Sequence, residues 1–342
     1  MEKKETRLGS HLVGHDHPVY VIAEGGLTNW GDVDLAKRQV DAAMAAGADA
    51  IKFQAQTTEA LVSKKVDPYW YRRLKYKELS HDKLHELHDY CAIRNIDFFV
   101  TAHTETDLDF LDRELDVPFF KIGSGESIND DFLKNVGTRG KPVVISLGLH
   151  LTEEEIDKSI RTLEEAGAKE IVILHCNTVY PTPVPFSDLR MIERLRERFP
   201  YPIGYSDHTV GWHIPLAAVA LGACVLEKHL SFDKTDKRSL DCPGSCDPED
   251  LKRYVAHIRE VEQALTPPPP AKQDAILQAR RWAAQSAIAT HDLAAGTILT
   301  ESCIAFKRPG TGILQTDAHK IIGKKTTKTI GEDELIKETD VG

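Results

Sequence analysis

The chain contains no long hydrophobic run. Its most apolar stretches have strand length and lie between charged segments, well short of the roughly 20 residues that cross a bilayer as a helix. The N-terminal MEKKETRLGSHLVGHDHP has no apolar centre of the kind a signal peptide needs. There is no basic block and no aromatic-basic cluster, and the formal net charge is -10. That balance argues against general affinity for nucleic acid or an anionic membrane, so neither is expected as a partner. Any anion site must be local, built from a few aimed cations. The six cysteines are scattered, with neither a C-x-x-C nor a zinc-ribbon spacing, and the expectation is reduced thiols in a cytoplasmic protein.

What the chain does have is a series of short, β-rich apolar segments with polar ends. VYVIAE ends on Glu24, DAIKFQ carries Lys52 and Gln54, and DFFVTAH reaches Thr101 and His103. FFKIGSGE carries Lys121, Ser124 and Glu126, PVVISLG carries Ser146, and EIVILHC carries His175. PIGYSDH ends with Ser206, Asp207 and His208, and CVLEKHL with Glu227, Lys228 and His229. Helical periodicity follows each segment, as in DLAKRQVDAAMAAG, where Gly47 can take the left-handed cap without a Cβ clash. Repeated strand–helix units with chemistry at the strand C-termini predict a (β/α)8 TIM barrel within residues 1–266. Residues 7–18 are expected to form a hairpin that plugs the barrel floor. The prolines at 267–270 predict a stiff linker over 267–280, and 281–342 a small second domain of short strands and turns.

In a closed barrel, side chains alternate between the interior and the helix layer. Ser206 and His208, Glu227 and His229, and Lys52 and Gln54 are each two apart, so each pair should face one way. Because the outer face packs on apolar helices, charged pairs are expected inside, at the mouth. His208 and His229 end consecutive strands about 4.8 Å apart. They are therefore the expected ligands of a divalent metal, with manganese, magnesium and cobalt all compatible. Lys52 and Lys121 aimed into one cavity imply a bound phosphate or carboxylate, with Thr101, Ser124, Ser146 and Ser206 as hydroxyl donors. Two other readings stand beside this one. The lysines could simply be neutralised by Glu24 and Glu126, or Lys121 could form a Schiff base with pyruvate, as an aldolase does.

The motifs AEGG at Ala23, GADAIKFQ at Gly47, KIGSGE at Lys121, SLG at Ser146 and HCNTVYPTP at His175 occur in one order. IGYSDHTVG at Ile203, GACVLEKHL at Gly222 and KRPGTGI at Lys307 follow them. In this the chain resembles the sialic acid synthase family, which condenses phosphoenolpyruvate with an amino sugar. Its tail resembles that family's SAF (antifreeze-like) domain. The resemblance implies that His208 and His229 hold the metal. Lys52, Thr101, Lys121, Ser124, Ser146 and Ser206 would bind phosphoenolpyruvate, and Glu24 and Glu126 would handle protons and water. Gln54, Tyr180 and Asp241 would contact the sugar. Arg308 would reach the sugar in the opposite subunit of a domain-swapped homodimer, the tail crossing to close the partner's site. The chain departs from the family at Thr28-Asn29, where an Asn-His pair is usual, at Thr178, and at Cys242, where a histidine is usual. These changes are expected near the mouth, where they would alter the acceptor sugar rather than the reaction. A non-catalytic carbohydrate-binding homologue is the alternative from another class.

Overall fold

A computed structural model describes residues 4–342, which divide into two compact units at Leu265 and Thr266. The first unit opens with the antiparallel hairpin β1 (Thr6–Leu8) and β2 (His11–Val13). Eight parallel strands follow: β3 (Tyr20–Glu24), β4 (Ala50–Ala55), β5 (Asp97–Ala102), β6 (Phe120–Ile122), β7 (Val143–Ser146), β8 (Ile171–Cys176), β9 (Ile203–Asp207) and β10 (Val225–His229). They pair in sequence order and close through β10 on β3, which is the expected TIM barrel.

Helices α1 (Val33–Ala46), α2 (Thr58–Leu61), α3 (Pro68–Lys75), α4 (His81–Arg94) and α5 (Glu105–Arg113) serve the first half. The second half has α6 (Asp130–Gly137), α7 (Glu153–Ala166), α8 (Arg190–Arg198), α9 (His213–Ala220) and α10 (Pro248–Leu265). Gly47 and Gly167 cap α1 and α7 with φ of 79° and 115°, the left-handed geometry a side chain would oppose.

Alternation along the strands separates two apolar regions. Outward residues such as Val21, Ile51, Val100 and Ile145 pack beneath the helices. Inward residues near the strand N-termini, among them Tyr20, Ile22, Phe99, Val144 and Leu174, fill the barrel floor together with Leu8 and Val13 of the hairpin. The plug therefore works through two fully buried side chains. Higher in the barrel the inward positions turn polar, and that switch creates the site.

One expectation about the strands is overturned. Asp207 and Lys228, of opposite parity to the inward residues, form a fully buried ion pair in the outer layer with Nζ–Oδ2 of 2.7 Å. Lys228 also donates to the Thr209 carbonyl at 2.6 Å, and Asp207 accepts from the Thr209 amide and hydroxyl. These hydrogen bonds make the charge pair tolerable there, so charged pairs are not confined to the interior.

The second unit contains α11 (Ala271–Ala283) and the antiparallel pair β11 (Ser286–Ala289) and β12 (Ile304–Lys307). Its core is small: Ala287, Leu293, Leu299, Ile321, Ile330 and Ile336 carry most of it. The extended linker expected over 267–280 is helical from Ala271. AKQDAILQARRWA is rich in good helix formers, and Pro270 occupies the N-cap position, where its missing N–H costs nothing.

Candidate active site

Above the apolar floor, a cavity of about 270 Å³ opens at the strand C-termini. Strand register sets its charged base. Glu24 is the register partner of His229 on one side and of Lys52 on the other. Gln54 lies opposite Thr101, Thr101 opposite Lys121, and Glu227 opposite Ser206. The cavity wall includes Glu24, Lys52, Gln54, Thr101, Lys121, Ser124, Glu126, Ser146, Tyr180, Ser206, His208, His229 and Asp241. Every site residue expected in the first unit is thus brought to one place. Arg308 belongs to the second unit, where it is exposed and its Nε donates to the Ala283 carbonyl at 3.1 Å.

The two lysines differ in their partners. Lys52 Nζ sits 2.8 Å from Glu24 Oε2 and 3.4 Å from Glu227 Oε1, and donates to the Thr101 hydroxyl at 3.1 Å. Among the described residues Lys121 has no carboxylate partner: it donates to Ser146 Oγ at 2.7 Å and to the Ile122 carbonyl at 2.9 Å. The neutralised reading therefore holds for Lys52 alone, through Glu24 as expected but with Glu227 in place of Glu126. Glu126 instead meets His103 Nδ1 at 3.0 Å.

Burial, set against these partners, splits the titrations. Desolvation raises the Glu24 pKa against the pull of Lys52, with Glu227 adding to the rise. Glu227 is equally desolvated but is held down to about 2 by Lys52 and Lys121. Two carboxylates facing one ammonium are thereby pushed apart, so Glu24 is the one suited to carry a proton. For Lys52, burial is outweighed by the two carboxylates and the pKa is raised; for Lys121, burial prevails and the pKa is lowered.

His208 and His229 meet with ring centroids 5.2 Å apart, and Tyr180 lies 4.1 Å from the His208 ring. His208 Nδ1 lies 2.7 Å from the Asn177 carbonyl oxygen, which can only accept. Nδ1 therefore carries a hydrogen, which leaves Nε2 as the nitrogen that could bind a metal once unprotonated. Burial, helped by the His208 charge, lowers the His229 pKa to about 4, so its imidazole is neutral at pH 7. Burial also acts on His208, but the adjacent Cys176 sulfur outweighs it and the pKa rises to about 9. A cation would have to displace that proton. A divalent ion on this pair would take its remaining ligands from substrate or water, since among the described residues no group of three or more His, Cys, Asp or Glu could hold one alone.

Several polar atoms on this wall are buried without a hydrogen-bond partner among the described residues: Glu126 Oε2, His103 Nε2, Glu227 Oε2, Thr178 Oγ1 and His229 Nδ1. Orphaned polar atoms gathered around one cavity indicate a polar ligand. Gly148 permits the close packing on one side, since a Cβ there would lie 2.4 Å from Thr178 Oγ1 and 2.7 Å from Ser124 Oγ.

Three of the four departures from the family pattern do not face the cavity. Thr28 is buried and donates to the Gly25 and Leu230 carbonyls. Asn29 closes its own turn through the Gly26 carbonyl and the Gly31 amide. Cys242 is fully buried and accepts a hydrogen bond from Ser231 Oγ. These residues shape loops; only Thr178 lines the wall. The sequence reading passed over Trp70, Arg73, Leu74 and Lys77, which α3 and the turn after it bring to the cavity. No local periodicity marks that approach.

The profile of the NeuB family matches residues 39–268, and that of the SAF domain residues 284–342. N-acetylneuraminate-9-phosphate synthase of Mus musculus is 35% identical over 96% of this chain and 94% of its own length. N,N'-diacetyllegionaminic acid synthase of Campylobacter jejuni is 34% identical over 93% of this chain and 98% of its own. Among solved structures, N-acetylneuraminic acid synthetase from Leptospira borgpetersenii, in complex with citrate, superposes with a TM-score of 0.74. It is 31% identical and covers 81% of this chain and 96% of that one. The chain belongs to the NeuB family and carries a SAF domain at its C-terminus.

Proposed function

We propose that this NeuB-family chain condenses phosphoenolpyruvate with the open-chain form of an amino sugar or related aldose, giving a 2-keto-3-deoxy sugar acid and phosphate. The observation that carries the reading is Lys121: a buried cation with hydroxyl and carbonyl partners but no carboxylate, beside Lys52 at the base of the cavity. A multiply charged anion bound there offsets the cost of burying both ammonium groups.

In the reaction, C3 of phosphoenolpyruvate forms a bond to the aldehyde carbon, water adds at C2, and C–O cleavage releases phosphate. Lys52 and Lys121, with the hydroxyls of Thr101, Ser146 and Ser206, hold the phosphoenolpyruvate anion and fix its reacting face. Glu24, whose burial favours the protonated form, supplies a proton to the new hydroxyl. Glu126, oriented by His103, holds the water that adds at C2. A divalent ion on His208 and His229 would supply Lewis-acid polarisation of the acceptor carbonyl. The six cysteines, all free and buried, suit a cytoplasmic setting. The working unit in this reading is a homodimer in which each SAF domain brings Arg308 to the other subunit's site.

The test is phosphate release from phosphoenolpyruvate across a panel of aldoses, with and without chelator. Release with at least one aldose is expected. No release with any, or trapping of Lys121 by borohydride in the presence of pyruvate, would refute the proposal.

A further inference from the structure

The cavity wall carries two more cations, Arg73 and Lys77, far from the phosphoenolpyruvate lysines in the sequence and on a different element. They converge on a single oxygen: the Arg238 carbonyl accepts from Arg73 Nη2 at 2.7 Å and from Lys77 Nζ at 2.9 Å. Lys77 is 3% exposed. The other bond of Arg73 goes to the Tyr69 hydroxyl at 3.0 Å, and its Nε is buried without a partner. Neither cation is in an ion pair among the described residues. Asp241 faces the same space and acts on Lys77, but its Oδ2 already accepts from Ser239 Oγ at 2.9 Å. Burial lowers the Lys77 pKa; the Asp241 charge opposes that fall, and the Arg73 charge adds to it.

Two like charges sharing one neutral acceptor repel each other, and a buried ammonium without a counter-ion is costly. Their two hydrogen bonds to one carbonyl are a small return for that cost. Around it, Trp30 lies under the Lys77 ammonium at 5.3 Å, and Trp70 lies beside the Arg73 guanidinium at 5.5 Å. These rings soften the repulsion but supply no negative charge.

We infer that Arg73 and Lys77 form an oxyanion subsite, so that the acceptor aldose carries an anionic group, a phosphate monoester or a carboxylate, away from its reacting aldehyde. The subsite rests on the synthase reading and narrows its acceptor class. An oxyanion set between the guanidinium fork and the ammonium takes the free Nε–H and the remaining Nζ hydrogens together. It also relieves the repulsion between the two cations.

The experiment compares kcat/KM for aldoses offered as matched sets: the free sugar, its terminal phosphate and its uronic acid. N-acetylmannosamine, its 6-phosphate and its uronic acid form the first set, and other hexoses, hexosamines and pentoses follow. The anionic member of a set is expected to exceed the neutral one by at least about tenfold. Preference for the phosphate identifies a phosphate subsite, and preference for the uronate a carboxylate subsite. Arg73→Met and Lys77→Met should each erode that ratio, and Lys77→Arg should retain it. Arg73 is partly exposed, so Arg73→Met keeps the test intact if Lys77→Met fails to fold. Equal turnover of neutral and anionic sugars, or an unchanged ratio in the folded variants, overturns the subsite while leaving the synthase reading standing. Absence of phosphate release with every aldose overturns both.

Discussion

Glu24 and Lys52 face each other in register on neighbouring barrel strands, their carboxylate and ammonium 2.8 Å apart and both buried. Because Glu227 approaches the same ammonium at 3.4 Å, Lys52 has a structural role that Lys121 lacks. Lys52→Met should therefore cost about 3–5 kcal/mol of folding stability, the usual result of leaving buried charge uncompensated. Lys121→Met removes a desolvated cation without an ion-pair partner and should change stability far less. Both should weaken phosphoenolpyruvate binding by roughly 2 kcal/mol or more. Denaturant unfolding together with isothermal titration separates the two effects. Equal stability losses would contradict the division of roles.

The histidine pair gives a second contrast. His208→Ala and His229→Ala should each abolish divalent-metal binding and turnover. The His208 change forfeits its bond to the Asn177 carbonyl, a loss of about 1 kcal/mol, so the unfolding midpoint should fall only modestly. Near-normal activity of either variant in chelated buffer would rule out metal dependence.

The Asp207–Lys228 pair makes a prediction about the scaffold alone. Both residues are fully buried outside the cavity. Lys228→Met should destabilise the barrel by about 3–5 kcal/mol, and adding Asp207→Asn should recover part of the loss. A purely additive double-mutant cycle in urea would show that the pair is not coupled.

Much of the site was legible before any coordinates. Strand-end polarity, combined with the two-residue parity of Ser206 with His208 and Glu227 with His229, is local information, and it placed the inward residues correctly. Which carboxylate meets which lysine is not local. Glu227 reaches Lys52 because β10 closes on β3, and that closure joins residues at opposite ends of the barrel sequence. Parity also misled at Asp207 and Lys228, since the tolerance of an outward charge pair depends on bonds from Thr209 that no pattern announces. Arg73 and Lys77 were invisible for a similar reason: the segment after β4 must fold over the mouth before they converge on the Arg238 carbonyl.

Acid sensitivity should trace in part to His175. It lies in β8 with Nε2 bonded to the Ser187 carbonyl at 2.8 Å, and burial lowers its pKa from the ordinary value near 6.5. Below that value the unfolded chain takes up a proton that the folded chain resists. The stabilising contribution is therefore complete above pH 6.5 and is lost as pH falls toward the depressed folded pKa. The slope from this one group can reach about 1.4 kcal/mol per pH unit. In His175→Gln the fall in stability between pH 6.5 and 5 should be shallower. An identical slope in urea titrations at several pH values would count against the assignment.

The proposed exchange of SAF domains is tested by complementation. The second unit has a core of few residues, and a domain that small gains by docking on a larger surface. In a two-fold dimer each site would combine His208 of one chain with Arg308 of the other. Arg308→Ala and His208→Ala chains should then each be inactive when purified alone. Mixed and reassociated, half of each heterodimer's sites would be intact, because one site draws His208 from the first chain and Arg308 from the second. Activity should therefore return to about a quarter of wild type in a statistical mixture, in which half the dimers are hybrids with one working site. Sedimentation confirms that hybrids have formed. Hybrids without activity, or full activity from a monomer, would show that Arg308 does not serve a partner's site.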